Sequence, residues 1–329
     1  MALVAAGLLG AGCGGSEGGD AGALQNVPES GGLREQVRAA EAPAKDEFPA
    51  TEGRSLQQVA DSMTAGPEVG LAGQQFTVGR NRLAFGVIDA SGKFVYGKTA
   101  VYVAPAPDAK ARGPYPAPAD LLVTDPPFRS RQAAAETDLF AAVYAADVPF
   151  PKAGTWSVLT VTQSGGGLVA APSQLEVDTA AQDPVPSIGE PAPHVQTDTL
   201  ASAKGDEEAI DTRLPPAPEL HEKSFAEVVG SKPVTLLFST PQLCQSRVCG
   251  PVTDIALQMK ARYGDRMEFI HQEVYVANDP SQGLREPLKQ FKLRSEPWLF
   301  VVGRDGNVTS RLEGSFGLKA FDRAVNTAL

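Results

Sequence analysis

The chain changes its hydrophobic period part-way along. Between Trp156 and Thr162, branched and aromatic residues recur at every second position, at Trp156, Val158, Thr160 and Thr162. Beyond about residue 218 the pattern shifts. Val252, Ile255, Ala256, Met259 and Tyr263 fall at three- and four-residue steps after the apolar run Val234-Thr-Leu-Leu-Phe238. A period of two buries one face of a strand, and a period near 3.6 buries one stripe of a helix. Two periods in separate blocks predict two structural units, and 329 residues suffice for both.

The first unit, residues 55–180, reads as all-β. Leu83 to Asp89 is a strand candidate, Ala90-Ser91-Gly92-Lys93 a tight turn, and Phe94 to Val103 a returning strand. Leu139 to Ala145, Trp156 to Thr162 and Leu175 to Val177 continue the series, with turns at Phe150–Gly154 and Gly165–Gly167. Short strands at this spacing predict a β-sandwich with Trp156 as a core anchor. The segments NRLAFGVIDASGKFV and GTWSVLTVT resemble the immunoglobulin-like accessory domains of exported bacterial proteins, some of which bind copper. Residues 64–193 contain no His, Met or Cys, so the sandwich offers no copper ligand and reads as a spacer or docking unit.

The ends and the seam read differently. Residues 2–9 are almost wholly apolar and lead into Gly10-Ala11-Gly12-Cys13, a short export-type core followed by small residues. This resembles a bacterial lipoprotein signal, which implies lipidation at Cys13 and a membrane-anchored, extracytoplasmic protein; Gly10 and the lack of Lys or Arg before Arg34 depart from that pattern. Residues 1–54 are therefore expected to be a signal and a disordered tether, and residues 181–217, with six prolines, an interdomain linker. His194 and His221 fall in or beside that linker and are expected to be solvated. The formal net charge of −10 and the lack of a basic run argue against nucleic acid as a partner.

Residues 218–329 follow the order β-α-β-α-β-β-α, a compact mixed α/β unit. Two of the three cysteines, Cys244 and Cys249, lie between its first strand and the helix opening near Pro251. Helix N–H groups converge there and favour a thiolate, and Arg247 adds positive charge. VTLLF, CGPV and QFKLRSEPWLFVVGRDGNV resemble the thioredoxin-like family, with Pro297 where that family keeps its cis-proline and Gly314 at the turn toward the last helix. The resemblance implies thiol–disulfide exchange with exported protein thiols or disulfides, with Cys249, Cys244 and Pro297 forming the site and no cofactor or resident metal. Cys249, two residues before Pro251 and two from Arg247, is expected to attack, and Cys244, further from the helix start, to resolve. Cys249 matches the family's first cysteine, Val252 replaces the second, and Cys244 supplies CxxxxC instead; Leu237 stands in place of the family's buried acid. Two alternatives stay open. One is a non-catalytic envelope scaffold with a structural disulfide. The other is copper delivery, with His271 joining the two cysteines.

Overall fold

The computed structural model describes residues 20–133, 140–244 and 248–329. The signal, Cys13, Leu139 and Arg247 lie outside the described residues.

Among the described residues, nine strands build two sheets: β1 (Thr64–Ala65), β2 (Glu68–Leu71), β3 (Gly79–Ile88), β4 (Thr99–Ala104), β5 (Arg112–Pro116), β6 (Ala119–Leu121), β7 (Ala142–Phe150), β8 (Gly154–Ser164) and β9 (Gly167–Val177). One sheet has the order β1-β9-β8-β4-β5 and the other β2-β3-β7-β6. Phe85 and Tyr144 from the second sheet share a core with Val101, Trp156 and Val158 from the first. Trp156 is fully buried, and its indole N–H donates to the Lys152 carbonyl at 3.1 Å.

One strand pairing differs from the hairpin expected at residues 83–103. After the Asp89–Lys93 turn only Phe94 bridges back to Ile88, and β4 pairs with β8 in the other sheet. The chain crosses between sheets at Gly97, where a side chain would meet the Gln163 carbonyl and where the backbone N–H donates to the Tyr144 hydroxyl.

Residues 20–54 are not a solvated tether. Helices α1 (Asp20–Gln25) and α2 (Leu33–Ala40) belong to the main apolar cluster, with Val27, Val37 and Ala40 fully buried. Leu33, Val37 and Ala40 form a single stripe in eight residues, too brief to stand out among the surrounding Gly, Ala and Glu. Phe48 and helix α3 (Leu56–Ala60) cover the outer face of the first sheet against Tyr102, Leu159 and Val161. Ser55 and Gln58 close a capping box on α3.

The C-terminal unit comprises helix α4 (Phe225–Val228), β10 (Val234–Phe238), α5 (Cys249–Tyr263), β11 (Glu268–Gln272), α6 (Glu286–Gln290), β12 (Trp298–Val302), β13 (Val308–Glu313) and α7 (Leu318–Val325). Its sheet runs β11-β10-β12-β13, with β10 and β11 parallel and the other pairs antiparallel. Alternation along the strands splits the core. Val234, Leu236, Phe238 and Phe300 face one cluster, while Leu237, Leu299 and Val301 join the α5 and α7 side. Phe225, Phe238, Phe291 and Phe300 are each fully buried, worth about 1.5–3 kcal/mol apiece.

The seam is packed as well. Val185 and Val195, expected in a linker, sit in the Phe238 cluster, and Asp211, Thr212 and Arg213 are buried. The α5/α7 side shares one apolar cluster with the β-sandwich core. Asp120 of β6 crosses that junction: its carboxylate accepts from the backbone N–H groups of Gly317, Lys319 and Ala320 at 3.1, 2.9 and 2.9 Å.

Candidate functional site

The cysteine loop begins where β10 ends. Cys244 N–H donates to the Thr240 carbonyl at 3.1 Å, closing a turn that returns Cys244 toward the start of α5. Cys249 is the first residue of that helix, two residues earlier than the opening expected at Pro251. Its thiol is hydrogen-bonded to Cys244 and receives the backbone N–H of Thr240. Ser239 and Thr253 hydroxyls pair at 2.8 Å beneath the loop, and Thr253 also donates to the Cys249 carbonyl.

The two thiols occupy different surroundings. Cys249 is fully buried, whereas Cys244 is half-buried. Burial, then Cys244 beside it, pushes the Cys249 thiol well above the usual cysteine value, against the opposing Thr240 N–H. The lowered pKa expected at the helix start is therefore not what the site has. Desolvation disfavours a thiolate and here outweighs the helix N–H groups.

The Glu296–Pro297 peptide bond is cis. Burial and the charge of Cys244 raise the Glu296 carboxyl, whose Oε1 accepts from the Tyr275 hydroxyl at 3.4 Å. Glu296 therefore brings an acid to the pair, on the loop before β12 rather than on β10, where Leu237 is buried in the core. Sequence reasoning missed Tyr275 and gave Thr240 no role at the pair. The signal available for Thr240 was its position two residues beyond the end of β10.

A cleft of about 250 Å³ opens beside the loop. Val248, Ser295 and Glu296 line it from the cysteine side, and Leu71, Phe94 and Phe140 from the β-sandwich. The Phe94 and Phe140 rings lie 4.4 Å apart. The sandwich thus supplies one apolar wall of a cleft that reaches the residue preceding Cys249.

His271 lies elsewhere in the network. Its Nδ1 faces His221 Nε2 at 3.3 Å, and its Nε2 faces the Ser239 carbonyl at 3.0 Å. His221 is 1% exposed rather than solvated. Asp211, His221 and His271 form the one group of three or more potential metal ligands among the described residues, and neither cysteine belongs to it. Copper delivery through Cys244, Cys249 and His271 needs a convergence that the described residues lack. Burial lowers the His271 pKa and keeps its imidazole neutral.

No family model matches the sequence, and no curated protein matches it. Among solved structures, the chain is similar to a protein put forward as the thiol:disulfide interchange protein DsbE of Chlorobium tepidum. That likeness has 16% identity, covers 44% of this chain and 98% of that one, and has a TM-score of 0.29. A thioredoxin-like superfamily protein matches at 12% identity over 32% of this chain and 85% of its own, with a TM-score of 0.24. The filamin domain of Lin-41 matches at 10% identity over 35% of this chain and 96% of its own, with a TM-score of 0.19. No helix among the described residues is long and apolar enough to cross a membrane.

Proposed function

We propose that this chain is an exported thiol–disulfide oxidoreductase, an immunoglobulin-like sandwich followed by a thioredoxin-like unit, anchored through a lipid on Cys13. Its substrates are the thiols and disulfides of proteins outside the cytoplasm. The observation that carries the reading is the hydrogen-bonded Cys244–Cys249 pair at the start of α5, beside the carboxyl of Glu296.

The roles follow from access. Cys244, the half-buried sulfur, gives up its proton to Glu296 and attacks a substrate disulfide; a mixed disulfide forms and one substrate sulfur leaves as thiolate. Cys249 then loses its proton and attacks the Cys244 sulfur. The second substrate thiolate leaves, the substrate gains two electrons and two protons, and the protein holds a Cys244–Cys249 disulfide. The reverse sequence oxidises a dithiol. This exchanges the roles read from the sequence, because the Cys249 thiol is fully buried and pushed well above the usual cysteine value, while Cys244 is half-buried.

The same burial of Cys249 favours a second reading, a structural bridge in a non-catalytic scaffold. The reduction potential of the pair separates the two. A working couple has a potential less negative than about −300 mV, and a value well below that marks a structural bridge. Mass analysis of the mature N-terminus tests the anchor: diacylglyceryl-cysteine at position 13 supports it, and an intact Met1 contradicts it.

A further inference from the structure

The Asp211, His221 and His271 side chains meet in a place the thiol chemistry does not use. Asp211 and His221 come from the packed segment before α4, and His271 from the middle of β11. All three are buried, at 1%, 1% and 0% exposure. Each offers one ligand atom, and these atoms lie within 4.8 Å of one another.

The separations identify the kind of contact. His221 Nε2 stands 3.5 Å from Asp211 Oδ2, and His271 Nδ1 stands 3.7 Å from Asp211 Oδ1. Both exceed the roughly 2.7–3.2 Å of an N–H···O hydrogen bond. With metal–nitrogen bonds of about 2.0–2.1 Å, two ligand atoms at a tetrahedral angle stand about 3.3–3.4 Å apart. The two imidazole nitrogens face each other at 3.3 Å. The N···N separation matches an edge of a coordination shell, and the N···O separations, each to a different carboxylate oxygen, are long for hydrogen bonds.

The surroundings fix the donors in the required form. The Ser239 carbonyl can only accept, so His271 carries its proton on Nε2 and turns the Nδ1 lone pair toward the group. Backbone N–H groups of Arg213 and Ala217 hold the Asp211 carboxylate at 2.9 and 2.8 Å. His221 Nδ1 is buried without a hydrogen-bond partner. If it bears the ring proton, Nε2 becomes a second lone pair aimed inward.

We propose that Asp211, His221 and His271 bind one divalent transition-metal ion, for which zinc suits this two-nitrogen, one-oxygen donor set. The ion ties the segment around residues 211–221 to β11. Through Ser239 it adjoins Thr240, whose N–H faces the Cys249 sulfur.

The test uses the full chain, stripped with a chelator and titrated with zinc. One equivalent is expected to bind, and the Cys244→Ser/Cys249→Ser double variant is expected to retain it. Affinity should fall by roughly 100-fold or more in His271→Asn and in Asp211→Asn, with near-UV circular dichroism reporting whether each variant stays folded. X-ray absorption on the zinc-loaded unmutated chain needs no variant: it should show imidazole scattering and no sulfur. Sulfur in the shell, loss of zinc with the cysteines, or no stoichiometric binding would overturn the proposal. None of these readouts depends on thiol exchange, so this proposal and the redox reading fail separately.

Discussion

Helices α5 and α7 pack on the same face of the C-terminal sheet, and the β-sandwich approaches the start of each at a glycine. At α7 a side chain on Gly317 would lie 2.5 Å from Asp120, whose carboxylate takes three N–H groups of the first turn. At α5 a side chain on Gly250 would lie 2.4 Å from the Gln132 carbonyl. Val248, the residue capping α5, supplies no side-chain acceptor, and the helix opens on a thiol. One helix start is closed by a carboxylate and serves as a joint between units. The other keeps its first turn beside the cysteine pair, and the sandwich walls the adjoining cleft. Similar packing therefore serves anchorage in one place and chemistry in the other.

The largest effect is expected at the closed start. Asp120→Ala removes the acceptor for three N–H groups, two of them buried, and should cost about 3 kcal/mol in chemical denaturation. A loss under about 1 kcal/mol would mean that α7 does not rely on this carboxylate. Gly250→Ala probes the open start. Its new methyl group meets a backbone carbonyl, so about 2 kcal/mol should be lost to overpacking, together with a changed rate of thiol exchange as the 128–132 segment moves. An unchanged melt and rate would show that the close approach has no bearing on the site.

A smaller effect is expected in the pH dependence of stability. Asp254 of α5 is buried, its carboxyl raised from 3.8 to about 6 by desolvation against the opposing Arg213 and Ser130. The folded state binds this proton more tightly than the unfolded chain does. The group's contribution is thus complete below about pH 4 and is lost as pH rises through about 6. Denaturation midpoints should fall with pH across that window, and Asp254→Asn should flatten the slope. An equal slope in the variant would assign it to other groups.

The C-terminal unit was the most legible part of the sequence, because its strands and helices each carry a full period. Val234–Phe238 and the Val252–Tyr263 stripe appear almost where they were expected. The cysteine pair and Pro297 were legible as a resemblance, and the structure brings Cys244, Cys249 and Glu296 together. The buried environment of Cys249 was not legible. Local sequence shows a helix start but not the desolvation around it, and here desolvation sets the direction of the pKa. Residues 20–54 and 181–217 were read as loose because composition hides brief stripes such as Leu33-Val37-Ala40 and isolated anchors such as Val185 and Val195. His221 and His271 lie fifty residues apart and meet only through tertiary packing, which no spacing rule detects.

The most direct test of the thiol account is trapping of the mixed disulfide. Reduced Cys249→Ser and Cys244→Ser variants are each mixed with a disulfide-bonded protein substrate at neutral pH, and the adducts are counted by mass. The accessible Cys244 sulfur should accumulate a mixed disulfide in Cys249→Ser, while the buried, hard-to-ionise Cys249 should leave Cys244→Ser largely unmodified. Trapping only through Cys249, or in neither variant, would contradict the account.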